Sequence, residues 1–73
     1  MLQIAVRMNW VLTRVTELNA GDVVKWTRTR TAIVLTKPWY EPLACYRLIA
    51  YFLIENKILK LPMHVNETIE KVK

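Results

Sequence analysis

The sequence has only one cysteine, Cys45, one histidine, His64, and one glycine, Gly21. A single cysteine excludes an intrachain disulfide, and one histidine leaves too few nitrogen and sulfur ligands for a structural zinc site. A single glycine also excludes a Gly-rich phosphate-binding loop. We therefore predict no cofactor and no metal site.

Long hydrophobic runs are absent as well. The longest apolar stretch, residues 43–54, is interrupted by Arg47 and is too short to cross a bilayer. Residues 1–4 lack the basic region and the long apolar run of a signal peptide. A lone cysteine is typical of a reducing compartment. These absences predict a soluble protein that is neither secreted nor transmembrane and has no membrane partner.

Apolar side chains are abundant for a chain of this length. They make up 53% of the 73 residues, yet so small a domain buries only roughly 60% of its unfolded surface. Small domains usually need disulfides, metals or partners for stability, and the first two are excluded above. Because exposed apolar patches usually mark interfaces, the composition predicts other protein subunits as partners, in a homo- or hetero-oligomeric assembly.

Short apolar segments separated by turn residues predict an all-β fold. Turn signals occur at residues 19–22, 55–56 and 62–66. Two prolines predict a loop at residues 38–42, because proline lacks an amide donor and fixes φ. The predicted strands after the first turn are residues 23–27, 31–36, 43–54, 57–61 and 68–72.

Two segments fit a helix as well as a strand. Residues 2–13 alternate strictly, but Ile4, Met8 and Val11 also stand at helical spacing. The β-branched side chains of this segment favour a strand. Residues 43–54 fit either a long strand or a buried helix that begins at Pro42. We favour strands in both segments, with the helices as open alternatives.

From residue 21 onward the order of the segments resembles a small SH3-like barrel. Residues 21–26 resemble its first strand, residues 32–35 its second, and residues 51–62 its third strand, tight turn and fourth strand. The remainder resembles the turn and final strand that close such a barrel. The layout is also similar to short proteins of tailed bacteriophages, although residues 29–31 replace the glycine usual after the first strand.

The resemblance implies a small SH3-like five-stranded barrel over residues 21–73, preceded by an N-terminal extended arm or extra strand over residues 1–20. Such a barrel does not need the arm's apolar face, which could pair with a neighbour's sheet edge. An additional strand or a helix of the same domain also explains it. Aromatic residues between the two prolines either anchor an interface or cover a barrel end. The predicted protein-interface residues are Ile4, Val6, Met8, Trp10, Trp39 and Tyr40.

The net charge of +5 has its densest basic stretch around Trp26. Cations follow phosphates and aromatic rings stack on bases, so this stretch fits a nucleic-acid surface. The alternative is that the charges are solvated and Trp26 belongs to the core. The predicted nucleic-acid-binding residues are Lys25, Trp26, Arg28 and Arg30.

Catalytic chemistry has little support in the sequence. His64 falls in a predicted surface turn, and Cys45 in an apolar run is expected to be a small buried hydrophobe. The carboxylates show no paired spacing, so we expect no catalytic residues and no enzyme. The phage resemblance implies a non-enzymatic structural or interaction protein, a small subunit of a viral particle such as a capsid-decoration, neck or tail component. Its location would be the virion or the host cytoplasm, and the alternative is a small basic nucleic-acid-binding or regulatory barrel.

Overall fold

The part of the chain that the structure describes contains seven antiparallel strands. The structure is a computed structural model, and it describes residues 9–42 and 47–73. The strands are β1 (Trp10–Arg14), β2 (Val23–Lys25), β3 (Thr31–Val34), β4 (Trp39–Glu41), β5 (Arg47–Ile54), β6 (Lys57–Met63) and β7 (Thr68–Val72). A short 3-10 helix, Val15–Glu17, follows β1. The all-β prediction is therefore confirmed for these residues.

The strands form one open sheet. Their order is β1-β7-β2-β3-β5-β4, and β6 pairs with the other side of β5. Strands β3 and β4 lie one after the other along the same side of β5, with Ile33 opposite Leu53 and Trp39 opposite Ile49. Among the described strands, β1, β4 and β6 therefore each have one side without a partner.

The alternation of side chains in β5 places one of its faces in the core. Leu48, Ala50, Phe52 and Ile54 are all buried, as the period-two reading of this segment predicts. The remaining core side chains come from the 3-10 helix, the residue after it and the neighbouring strands. The buried cluster consists of Val15, Leu18, Val24, Ala32, Val34, Leu48, Ala50, Phe52, Ile54 and Met63.

Two turns depend on backbone conformations that few residues adopt. Glu55 and Asn56 have φ of 49° and 63°, the left-handed pair that a two-residue hairpin between β5 and β6 requires. Gly21 has φ of 94° in the turn before β2, where a side chain would be strained. The predicted turns at these two places are confirmed.

The expected count of five strands is wrong, because two further segments join the sheet. β1 pairs with β7 over its whole length, and Val15 and Leu18, which follow it, are buried in the core. The expected loop at residues 38–42 contains β4. Pro38 and Pro42 flank this strand, so neither removes a donor from its ladder.

Two predictions concern residues beyond this description. Residues 1–8, with most of the predicted arm, and residues 43–46, at the start of the predicted long strand, lie outside the described residues. From Asn9 to residue 20, the segment predicted as an arm or extra strand holds β1 and the 3-10 helix. Arg47–Ile54 is a strand rather than a helix.

Candidate functional site

A groove of about 370 Å³ lies where β1, β7 and the end of β2 meet the loop after β2. We call it the Trp26 groove. Its lining residues are Leu12, Lys25, Trp26, Thr27, Arg28, Thr68, Ile69 and Glu70. A second cavity of about 110 Å³ shares Trp26, Thr68 and Ile69 with it and reaches Phe52 and Met63 of the core. The groove and the core therefore meet at Trp26.

The position of Trp26 follows from the short loop that begins with it. The Trp26 amide donates to the Arg30 carbonyl over 2.9 Å, which closes the loop directly after β2. Its ring packs on Phe52 with 5.9 Å between ring centroids. The side chain is nevertheless 39% exposed. Trp26 thus contributes to the core with one part of its ring and leaves the rest available to a ligand.

The charges around the groove differ in how far they are neutralised. Lys25 lies 3.5 Å from Glu70 across β2 and β7, and its ammonium lies 5.6 Å from the Trp10 ring centroid. Arg30 pairs with Glu55 at 3.0 Å, at the hairpin between β5 and β6. Arg28 lines the groove without an ion pair to any described residue. Three of the four predicted nucleic-acid residues therefore line one groove, and Arg30 does not.

A second surface, which sequence reasoning missed, lies on the outer face of the sheet. Ile33 of β3 is opposite Leu53 of β5, which is opposite Ile58 of β6. We call these three residues the outer row. Ile58 is 65% exposed, and Ile33 is exposed as well. The signal was present in the sequence, because residues 31–36 and 57–61 are apolar at positions on both faces.

The loop aromatics have different environments. Trp39 is half-buried and stacks on Tyr51, with 5.9 Å between centroids and 30° between ring planes. Because Trp39 is opposite Ile49 in the β4–β5 ladder, this stack lies on the same face as the outer row. Tyr40 points to the other face and is 56% exposed. Trp39 thus extends the outer apolar face, and Tyr40 presents its ring to solvent.

Of the interface residues predicted in the arm, the structure describes only Trp10. Trp10, the first residue of β1, is half-buried opposite Val72. Ile4, Val6 and Met8 lie outside the described residues, so their predicted interface role stays a prediction.

His64, the remaining catalytic candidate that the structure describes, takes part in hydrogen bonds that hold a turn. The His64 ring accepts a hydrogen bond from the Asn66 amide over 3.3 Å, and the His64 amide donates to the Glu67 carboxylate over 3.1 Å. These bonds close the turn between β6 and β7. No cluster of three His, Cys, Asp or Glu side chains suited to a metal ion occurs within residues 9–42 and 47–73. Cys45 lies outside that range.

No protein-family model matches the chain, and neither a curated protein nor a solved structure matches it. In the described part of the chain there is also no helix with the length and hydropathy needed to cross a membrane. The case for a function therefore rests on the two surfaces described above.

Proposed function

We propose that the chain is a non-enzymatic interaction protein, a small subunit of a larger assembly that acts through protein–protein contacts. The observation that carries this proposal is the outer row with the Trp39–Tyr51 stack beside it. Apolar side chains from four strands share one solvent-facing surface there. Apolar patches of this kind on a small domain usually mark an interface.

The strand order supports the finer assignment to an SH3-like barrel. Strands β2, β3, β5, β6 and β7 correspond to the segments that resemble that family. β2 pairs with β3, β3 with β5 and β5 with β6, and β7 pairs back with β2, but β6 and β7 do not pair. We propose that β1 and β4 are additions to such a barrel, and that the assembly is a viral particle, with a capsid-decoration, neck or tail position. The support for the viral particle is the phage-like layout of the sequence.

The test is a charged substitution in the outer row. The double variant Ile33→Asp and Ile58→Asp places two carboxylates on the apolar face, so a partner that co-purifies with the tagged wild type should be lost. The matched control, Thr29→Asp and Asn66→Asp, adds the same charge at exposed loop and turn positions outside the outer row. Circular dichroism verifies that both variants fold. Retention of the partner by the outer-row variant, or equal loss in the control, would contradict the proposal.

A second candidate function is favoured by the Trp26 groove. A half-exposed indole, an unneutralised guanidinium and Lys25 lie together at one groove. This is the combination of stacking surface and cation that binds single-stranded nucleic acid without base specificity. One carboxylate, Glu70, lies in the same groove and neutralises Lys25. For this reason the groove ranks second to the outer row.

A further inference from the structure

β1 and β6 differ in which residues lie along the side of the strand that has no partner. Just beyond the two ends of β1, the Lys73 amide donates to the Asn9 carbonyl and the Val15 amide donates to the Glu67 carbonyl. Hydrogen-bonded pairs alternate along an antiparallel ladder, so the odd-numbered residues of β1 bond to β7. The amides and carbonyls of Trp10, Leu12 and Arg14 therefore face away from the sheet. They form an edge with no strand partner among the described residues.

The free side of β6 is protected against strand addition. Its two-residue turn makes Ile54 and Lys57 a hydrogen-bonded pair, so the backbone groups of Ile58, Lys60 and Pro62 face outward. Pro62 has no amide proton to offer, and a lysine and a proline on an edge are common devices against pairing. β1 has neither residue. β4 also has a free side, but it has only three residues, and a very short edge strand is another device against pairing. Among the described strands, the open edge is therefore β1.

We propose that a second copy of this chain adds its own β1 antiparallel to β1, about a two-fold axis that passes between the two Leu12 residues. The inference rests on the proposed function and names its partner. In this register, Leu12 is opposite Leu12 of the second copy and Trp10 is opposite Arg14 of the second copy. The backbone amides and carbonyls of Trp10, Leu12 and Arg14 all point towards the second copy. Each of these pairs therefore exchanges two backbone hydrogen bonds. The interface is isologous, so each copy offers the same edge.

The side chains of β1 are complementary to themselves in this register. Leu12 is 67% exposed in the single chain, and a second Leu12 covers it at the centre. On either side, the Arg14 guanidinium faces the Trp10 ring of the other copy, a cation–π arrangement, and would share this ring with Lys25 of that copy, whose ammonium lies 5.6 Å from its centroid. Arg14 has no ion pair with any described residue that would compete for it. On the opposite face, exposed Val11 is opposite Thr13 of the second copy, which is already buried within its own chain.

The size of the contact sets the expected strength. One five-residue strand on each side buries less surface than the roughly 1,200 Å² at the lower limit of stable complexes. Both copies also carry a charge of +5, which opposes association. We therefore expect a concentration-dependent dimer that forms in the micromolar range or above and strengthens with salt as the repulsion is screened.

The first test removes one outward amide from each edge. Leu12→Pro deletes a donor that makes no bond within the chain, and Ile58→Pro does the same on β6. Sedimentation equilibrium of the wild type should show a monomer–dimer equilibrium. Leu12→Pro should raise the dimer Kd roughly tenfold or more, because it removes two central hydrogen bonds, whereas Ile58→Pro should leave it unchanged. Equal effects of the two variants, or a larger effect of Ile58→Pro, would overturn the assignment to β1.

The second test reads the register directly. Opposite Cα atoms of a hydrogen-bonded antiparallel pair lie about 5.5 Å apart, within the range that a disulfide spans. A Leu12→Cys variant, made with Cys45→Ser so that it has one thiol, should form a disulfide-linked dimer on mild oxidation. Ile58→Cys in the same background should not.

The outcomes separate this inference from the proposed function. A wild type that stays monomeric at millimolar concentration, yet still captures a partner through the outer row, overturns the dimer and leaves the interaction function standing. A disulfide that forms as fast at position 58 as at position 12 also overturns it. If the wild type is monomeric and the outer-row variant retains the partner, both proposals fail.

Discussion

At the scale of the residue, burial rather than residue type decides what each hydrophobic side chain does. Leu12 and Leu18 are six positions apart in one short segment, yet Leu12 is among the most exposed large side chains and Leu18 has no exposed surface. The difference arises because Leu12 lies on the outer face of β1, whereas Leu18 follows the 3-10 helix that turns the chain over the core.

We expect the same substitution to have different effects at these two positions. Leu18→Ala should lower the free energy of unfolding by about 2–5 kcal/mol, because it removes buried methyl groups and leaves a cavity. Leu12→Ala should change it by about 0.5 kcal/mol or less. Urea denaturation in dilute solution, below the concentration at which the proposed dimer forms, measures both values. Similar losses at the two positions would contradict the described core.

At the scale of the element, the hairpin between β5 and β6 has the strongest local determinant. Its turn puts two residues other than glycine, Glu55 and Asn56, at positive φ. Asparagine tolerates this region because its short side chain bonds the local backbone. Glutamate lacks this local hydrogen bond to the backbone. The Glu55 carboxylate instead forms an ion pair with Arg30. This ion pair links the hairpin to the residue that precedes β3.

Substitutions at Asn56 should reveal the strain of the turn. Asn56→Ala should lower the free energy of unfolding by about 1–2 kcal/mol, since alanine pays the full steric cost of the left-handed region. Asn56→Gly should be close to neutral, because glycine adopts this region freely. Thermal unfolding measures both effects.

The control for the turn is Asn66→Ala, since Asn66 is also an exposed turn residue but its φ is not positive. It should have little effect. A loss at Asn66 as large as that at Asn56 would mean that the hairpin turn is not the source of the strain.

At the scale of the whole molecule, an excess of positive charge affects nucleic-acid binding and the proposed dimer in opposite ways. The net charge is +5, and four of the six carboxylates are already held in ion pairs. Binding to nucleic acid releases counterions and weakens with salt, whereas association between like-charged copies strengthens with salt.

The salt response therefore tests the nucleic-acid alternative. If the Trp26 groove binds single strands, the affinity for a mixed oligonucleotide should fall with log salt. A fluorescently labelled oligonucleotide measures this affinity, because the intrinsic signal would combine three tryptophans. Arg28→Ala should reduce the magnitude of the salt slope by about 0.7, the value for one phosphate contact on a single strand. Arg30→Ala is the control, because Arg30 is already paired with Glu55. Absence of salt-sensitive binding at low ionic strength removes this candidate.

Much of the fold could be predicted from local patterns, because strand alternation and turn chemistry act over a few residues. The buried face of Arg47–Ile54, the Glu55–Asn56 turn and the strand Thr68–Val72 agree with the sequence predictions. The strand Trp39–Glu41 does not. The two prolines predicted a loop at residues 38–42. The sequence pattern could not show that Pro38 and Pro42 lie just outside the three residues that pair with β5.

The candidate sites depended on pairing between distant segments. Lys25, Trp26 and Arg28 were found from sequence because they are adjacent in the chain, but Leu12 and Glu70 join their groove only through β1 and β7. The outer row combines residues of three strands for the same reason.

The sequence by itself determined the all-β class, the left-handed turn and the excess of apolar and basic side chains, because these follow from composition and short-range sterics. Only the tertiary structure decided which apolar residues stay exposed and which strand edge remains open. Both properties are set by long-range register, and a shift of one residue exchanges the two faces of a strand. With one cysteine and one histidine, the chain cannot form an intrachain disulfide or a structural zinc site, and the open β1 edge is the structural basis for the proposed second copy of the chain.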